Sequence, residues 1–359
     1  MRILHLLHTN QLAGIERHIS QLMEEVSRHG CEVGLICRPG TPLEHSAVEQ
    51  KLSVFPAMGL AATVNRAKEF RPDILHVHTG WGELHAAFIS ATLPVPIIST
   101  RHFIRPGRLT GPKHRRIALG VVHKALDRRI NAFIAVSGAV KAALVNENPQ
   151  TEFRTAIIRH GIRPTPVNSQ VRVAGSGRPV IICVSRLERE KGLHTLLDAM
   201  LIVSKVRPDA QLQVIGEGRL RNQLMERTAE LQLEDKICFA GWLPDIERLL
   251  SFADMLVLPG WQEGFGLALL EGMNASLPCV ACRVGGPKEV IVHGSTGYLT
   301  EPDDPDSLAR GLLTLLQNPT MAKKMGESGR LRLLSNFTAE RMAKETVAVY
   351  KKTLNSTNH

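Results

Sequence analysis

The chain has 359 residues, a length that suggests two domains or one large one, and its 43% apolar content is ample for a buried core. Aromatic residues make up only 4%, which argues against the stacking platforms that bind single-stranded nucleic acid. The net charge is +10, and nearly all of the excess lies in the first half: residues 1–170 hold 21 Lys and Arg against 12 Asp and Glu, the remainder 23 against 22. A basic half attracts an acidic partner such as anionic lipid or a phosphorylated substrate.

In chain order, "MRILHLLHTNQ" has one arginine, a short apolar run and no small-residue cleavage site, so it reads as a first strand and not as a secretory signal. Ile15, Ile19, Leu22, Met23 and Val26 then follow helical spacing. Short apolar runs alternate with such helices throughout: "CEVGLIC", "DILHVH", "VPIIST", "AFIAVS" and "TAIIR" in the first half, then "PVIICVS", "AQLQVIG", "KICFAG", "DMLVLP" and "PCVAC" in the second. This alternation predicts parallel sheets covered by helices on both faces. A stretch rich in Pro, Gly, Ser and Val at 163–179 breaks it. The expected class is α/β, with two Rossmann-like doubly wound domains facing across a cleft. Their bounds read 1–165, a linker at 166–178, and 179–337, followed by a helix at 338–359 that packs back on the first domain. No window approaches a run of about 18 apolar residues, so the protein is expected in the cytoplasm, in solution or on a membrane surface. Six cysteines in mostly strand-like surroundings fit buried thiols in a reducing compartment.

Several stretches carry candidate chemistry. His76 and His78 alternate along a strand, so they should face opposite sides, and no third metal ligand is evident. His102 follows the strand "VPIIST" and reads equally as a surface histidine or a hydrogen-bonding group. Residues 100–129 gather Arg105, Arg108, Lys113, Arg115, Arg116, Lys124, Arg128 and Arg129 among apolar positions. That pattern suits an anionic membrane surface, an acidic acceptor, or an ordinary solvated helix. "VSRLEREKG" places Arg186 and Lys191 directly after a strand, where both can neutralise a diphosphate. "GEGRLR" has Arg221 where a dinucleotide fingerprint needs glycine, so NAD gains little support.

"EGFGLALLE", residues 263–271, brackets a glycine-containing apolar run with two carboxylates. Glu263 falls in a loop and Glu271 about one and a half turns into the helix that follows. The helix N-terminus is an anion site, and Gly266 lets a ligand approach the backbone. Flanking acceptors there could grip hydroxyls on either side of a phosphate, the layout of a nucleotide sugar. The stretch reads equally as a loop and helix with incidental glutamates. Cys279 and Cys282 form a lone CxxC that reads as a buried strand, and the D-x-D of "EPDDPD" reads as a turn and helix start.

Taken together, "SRLEREKG" and the E-x7-E stretch resemble the retaining nucleotide-sugar glycosyltransferases of family four, or group one. "LAGIERHISQL", "RHGI" (159–162) and "RVGGPKEVI" (283–291) resemble further segments of that family, so the likeness spans almost the whole chain. It implies the two-domain GT-B fold. By analogy Arg186 and Lys191 bind the donor diphosphate, Glu271 the ribose and Glu263 the donor sugar. The backbone of Phe265, Gly266 and Leu267 meets sugar and phosphates, Gly14 admits the diphosphate, and His102 approaches the sugar. Ala13 stands where the family often has a first glycine.

The expected reaction is transfer of a sugar from a UDP- or GDP-sugar to an acceptor hydroxyl with retained configuration. Arg186, Lys191 and the helix N-terminus would stabilise the leaving diphosphate, and domain closure would exclude water. No cofactor or metal is expected, and no nucleic acid partner. The acceptor class implied is a bacterial surface glycolipid or glycan such as lipopolysaccharide, on the cytoplasmic face of the membrane, with residues 100–129 toward an anionic surface. Two rivals remain: a nucleotide-sugar 2-epimerase of the same fold, which needs no acceptor, and a non-catalytic nucleotide-sugar or polyanion binding module, which releases no diphosphate.

Overall fold

The computed structural model describes residues 1–7, 14–78, 80–103, 124–166, 177–243 and 245–357. Ala13, most of the expected linker, and the basic positions Arg105, Arg108, Lys113, Arg115 and Arg116 lie outside the described residues. The chain divides into two compact units, Met1–Arg163 with Ala339–His359, and Pro164–Thr338.

The first unit holds β1 (Arg2–Leu7), β2 (Glu32–Cys37), β3 (Ser53–Val54), β4 (Ile74–Val77), β5 (Ile97–Arg101), β6 (Ala132–Ala135) and β7 (Thr155–Ile157). They pair in parallel in the order β3-β2-β1-β4-β5-β6-β7. Side chains alternate across the pleat. Ile3 and Leu7 join one apolar layer with Ile19, Met23 and Val26 of helix α1 (Gly14–Arg28). Leu4 and Leu6 join the opposite layer with Phe70, Ile89 and Phe133. Both faces are therefore covered, which is why the strands read as nearly unbroken apolar runs.

The last helix, Ala339–Thr357, belongs to this unit. Ala339, Met342, Ala343, Val347 and Tyr350 recur at helical spacing and are buried in the layer shared with α1. The Ala339 amide donates to the Ile162 carbonyl at 2.9 Å, which fixes the start of the helix.

The second unit holds β8 (Val180–Val184), β9 (Gln211–Ile215), β10 (Ile237–Gly241), β11 (Met255–Leu258), β12 (Cys279–Cys282) and β13 (Gly297–Thr300). The order is β10-β9-β8-β11-β12-β13, again all parallel. One face of this sheet, with Ile181, Cys183, Leu212, Val214 and Val257, packs against Leu193, Leu196, Leu197 and Met200 of the helix Leu193–Val206, and against Leu308 and Leu312 of the helix Pro305–Gln317.

Two strands went unread in the sequence. β3 is only two residues long, and β13 is the short "GYLT", whose glycine lies so close to the Cys279 carbonyl that no side chain fits there. The CxxC is strand β12; both thiols are free, and burial pushes Cys279 up to about 12 and Cys282 up to about 11. Asp304 of the D-x-D caps the helix Pro305–Gln317 by accepting from the Ser307 amide at 2.9 Å.

Tyr350 tests how far the last helix holds the first unit. It is fully buried, and its hydroxyl lies 2.6 Å from His76 Nδ1. Tyr350→Ala should lower stability by about 3–5 kcal/mol, and Tyr350→Phe by about 1–3 kcal/mol, because it strands a buried ring nitrogen. Urea unfolding measures both, and equal losses would mean that the hydroxyl contributes nothing.

Candidate functional site

In each sheet the strand order reverses at one point, between β1 and β4 and between β8 and β11. Helices leave such a point in opposite directions, and the carboxyl ends of the two strands border a crevice that binds ligands in open α/β sheets. In the second unit the segments that follow β8 and β11 carry the residues singled out in the sequence.

After β8 the chain makes a short 3-10 turn, Arg189–Lys191, and leaves it through Gly192 at φ +64. A side chain at Gly192 would collide with the Pro259 carbonyl just past β11, so glycine lets the two loops touch. The Trp261 amide donates to the Glu190 carbonyl at 3.1 Å, and Trp261 Nε1 to the Arg189 carbonyl at 3.1 Å. Held this way, Lys191 Nζ donates to Glu263 Oε1 at 2.7 Å, with side-chain exposures of 14% and 7%. A Cβ at Gly260 would come within 2.8 Å of the same carboxylate oxygen. The pair is therefore an enclosed, charge-assisted bond between two residues read separately as donor contacts.

Beyond Glu263 the loop turns back toward the protein. Phe265 is buried, its ring edge-on to Phe337 at 5.9 Å. The Gly286 amide donates to the Glu263 carbonyl at 3.2 Å, and Gly286 approaches the Phe265 backbone too closely for any side chain. Gly266 adopts φ +92 and opens the helix Leu267–Asn274, whose first turn has no side-chain cap. Glu271 is the fifth residue of this helix, just over one turn in, and half-buried. Arg186 stands apart from the Lys191–Glu263 pair: it is half-exposed and bonds Glu190 Oε1 at 3.0 Å.

In the first unit, Gly14 is the exposed first residue of α1. His102, just past β5, is 5% exposed, so it is not a surface histidine, and both of its ring nitrogens face other imidazoles. Seven histidines are buried among the described residues, and His102 belongs to a cluster of six of them. His5 Nδ1 lies 2.9 Å from His78 Nε2, His78 Nδ1 3.3 Å from His102 Nε2, His102 Nδ1 3.4 Å from His160 Nε2, and His160 Nδ1 2.6 Å from His18 Nε2. His76 sits beside them, Nδ1 on the Tyr350 hydroxyl and Nε2 on Thr100 Oγ1 at 2.7 Å. The expectation that His76 and His78 face opposite ways is corrected: their rings are 4.2 Å apart. Residues two apart along a strand share a face, and His78, the residue after β4, keeps to the side of His76. The missing third histidine is His5, paired with His76 in the β1–β4 register; ligand atoms of His5, His76 and His78 lie within 4.8 Å of one another.

The neighbouring charges are equally enclosed. Arg101 bridges Glu83 and Asp127, reaching Asp127 Oδ1 at 2.7 Å, while Ser99 donates to Glu83 at 2.7 Å. Arg101 is thus a buried structural cation, whereas Lys124, Arg128 and Arg129 of the same basic stretch are exposed. His5, His18, His160 and this ion trio escaped sequence reasoning. The available signal was that several histidines fall within or just after strand-like runs.

Burial pushes His5, His18 and His102 down to about 3, and His76, His78 and His160 well below the ordinary 6.5. These rings are neutral in the folded core but take up protons in the unfolded chain below pH 6.5. Their contribution is therefore complete above that pH and is lost on acidification toward pH 3, at on the order of 1.4 kcal/mol per pH unit per histidine. Calorimetry from pH 8 to 5 should show a steep fall in the unfolding temperature of the first unit; a flat profile would contradict neutral burial. In the second unit, Lys191→Ala should cost about 3–5 kcal/mol by stranding the Glu263 carboxylate. The double variant Lys191→Met with Glu263→Leu should cost less than Lys191→Ala, as denaturant titration would show.

Comparison with known proteins places this geometry. Residues 165–332 match the family described as glycosyl transferases group 1, and residues 12–165 match glycosyltransferase family 4. A glycogen synthase of Mycobacterium tuberculosis is 30% identical over 288 residues, 79% of this chain and 69% of that protein. The lipopolysaccharide core biosynthesis mannosyltransferase LpsB of Rhizobium meliloti is 30% identical over 243 residues, 64% of this chain and 67% of its own length. Among solved structures, Anabaena Alr3699/HepE, in complex with UDP and glucose, superposes with a TM-score of 0.85 at 18% identity, covering 98% of this chain and 99% of that one. The fold is that of the GT-B glycosyltransferases, and the chain belongs to the group 1 glycosyltransferases, with a family 4 domain over its first half.

Proposed function

We propose that the chain is a retaining hexosyltransferase that moves a sugar from a UDP- or GDP-sugar to a hydroxyl of a bacterial surface glycolipid or glycan, in lipopolysaccharide assembly or a related route. The observation that carries this reading is the enclosed Lys191–Glu263 pair at the β8–β11 switch, beside a helix that begins uncapped on Gly266. A diphosphate at that helix start gains the N-terminal dipole and can draw Lys191 from Glu263. Glu263, released, accepts hydroxyls of the donor sugar, and Glu271 those of the ribose. Arg186, exposed enough to swing from Glu190, supplies the second cation. Phe265 turns its ring into the core, which leaves the loop backbone with Gly266 and Leu267 for the ligand.

The leaving diphosphate oxygen would take the acceptor's proton on the face where the glycosidic bond forms, which keeps the configuration. The two cations and the helix dipole would stabilise the charge on the departing diphosphate, so the proposal includes no metal. In the first unit, the resemblance to the family makes Gly14 and His102 the candidates for contact with a donor. The LpsB relative supports the surface-glycan class, and the HepE complex supports a uridine donor. A cytoplasmic setting, with residues 100–129 toward an anionic membrane surface, completes the proposal. No helix among the described residues is long and apolar enough to cross a membrane.

A thermal-shift panel of UDP, GDP, dTDP, CMP and NAD tests the donor site. A ligand at 100 times its dissociation constant stabilises by about 2.7 kcal/mol, which moves the midpoint by several degrees. One nucleoside diphosphate should shift wild type, and Glu271→Gln and Lys191→Ala should respond less, each against its own ligand-free midpoint. Equal responses in all three would sink the assignment. Once a donor is known, the anomeric configuration of product and donor decides retention, and an epimerised sugar formed without acceptor would favour the 2-epimerase.

A further inference from the structure

The histidine chain has a property that none of its members has alone. Each of the four links joins Nδ1 of one ring to Nε2 of the next, always in the same sense, from His5 through His78, His102 and His160 to His18. A neutral imidazole carries one N–H and one bare nitrogen. If His5 donates from Nδ1, His78 must accept at Nε2 and so donate from its own Nδ1, and so on along the chain. If His18 donates from Nε2, every ring is reversed. Any mixed arrangement sets two N–H groups, or two lone pairs, against each other between rings buried in the core. Only two proton arrangements are therefore of low energy, and in each all five tautomers agree. The ends are His5 Nε2 and His18 Nδ1, both buried; His5 Nε2 meets no hydrogen-bond partner, and the Gly161 backbone stands beside His18.

The chain is also well placed. It runs from His5 within β1 along the carboxyl edge of the first sheet, past the ends of β4, β5 and β7, and closes on α1. Both nitrogens of His102 are occupied within it. A ligand hydroxyl that reaches His102 must displace His78 or His160 and enter the chain in its place.

We propose that His5, His78, His102, His160 and His18 act as one tautomer-coupled hydrogen-bonded chain that decides whether His102 offers a donor or an acceptor to a ligand hydroxyl, with His78 and His160 as its positioning residues. The consequence for activity rests on the reading of His102 as a donor-sugar contact; the coupling itself does not. A metal held by His5, His76 and His78 is the competing use of these rings. It is disfavoured because both nitrogens of His76 are already held by hydroxyls and both of His78 by imidazoles, and no carboxylate stands among the three.

The test acts on one end and reads the middle. His5→Leu removes the link to His78, whereas His5→Asn keeps an amide where Nδ1 stood and can serve either sense. Nitrogen-15 spectra of the histidine side chains of the full-length protein should show the same tautomer balance at His78, His102 and His160 in wild type and in His5→Asn, and a balance changed at all three together in His5→Leu, where His78 Nε2 has lost its partner. Turnover should fall roughly fivefold to tenfold in His5→Leu and recover in His5→Asn, the scale of one hydrogen bond. Should His5→Leu not fold, His18→Leu against His18→Gln reads the same coupling from the other end. An unchanged His102 tautomer in the folded Leu variant overturns the proposal, as does one equivalent of zinc bound by the purified protein and lost in His76→Gln. If the tautomers respond but His102→Phe keeps full activity, the coupling stands and the assignment of His102 to the donor falls.

Discussion

A parallel sheet covered on both faces leaves its polar chemistry one place to go, the rim where the strands end. Here that constraint acts twice. Apolar side chains fill most of both faces of β1 and of β8, so charged or hydrogen-bonding groups gather mainly toward the carboxyl ends of the strands and on the loops beyond them, and those within a strand, such as His5 and His76, are buried. The reversal of strand order then parts the covering helices beside these two strands. The Lys191–Glu263 pair lies at one such opening and the histidine chain along the edge that contains the other. The two rims solve the same desolvation problem differently: one encloses opposite charges, the other uses rings that shed charge altogether.

The enclosed pair also bears on binding strength. A lysine already engaged at 2.7 Å is not a bare cation waiting for phosphate. A ligand must compete with Glu263, so the net gain is the difference between two bonds to Lys191. That exchange favours a ligand offering anion and hydroxyl together, because a hydroxyl can satisfy the released carboxylate while the anion takes the lysine. Inorganic phosphate alone would leave Glu263 stranded in a nearly closed pocket. Glycines at 192, 260 and 286 make the arrangement possible by letting three backbone segments touch.

Sequence reading found the strand runs, the helix that starts at Leu267 and the residues at the second switch because those signals are local: alternating burial, a glycine before a helix, cations just after an apolar run. It missed what forms between distant segments. His18 and His160 are separated by 142 positions and His76 and Tyr350 by 274, with no periodicity to link them. It also read His76 and His78 as facing apart, although residues two positions apart along a strand share a face. Arg101 was not singled out within the basic stretch 100–129, because its partners, Glu83 and Asp127, come from a preceding helix and a later one. Charge read along a chain cannot distinguish a cation facing water from one buried between two carboxylates.

The helix Ala339–Thr357 places a condition on how the protein is made. It fills a layer of the first unit, against α1 and β1, yet it leaves the ribosome only after all of Pro164–Thr338. Until then Ile3, Ile19, Met23 and Ile74 lack a large part of their cover, and His76 lacks the Tyr350 hydroxyl. The second unit is contiguous in the chain and can close as soon as it emerges. The half synthesised first is therefore completed last, through contacts between the two ends of the chain that carry the largest loop-closure entropy in the fold. Through that interval the apolar layer that the last helix covers stays open to water.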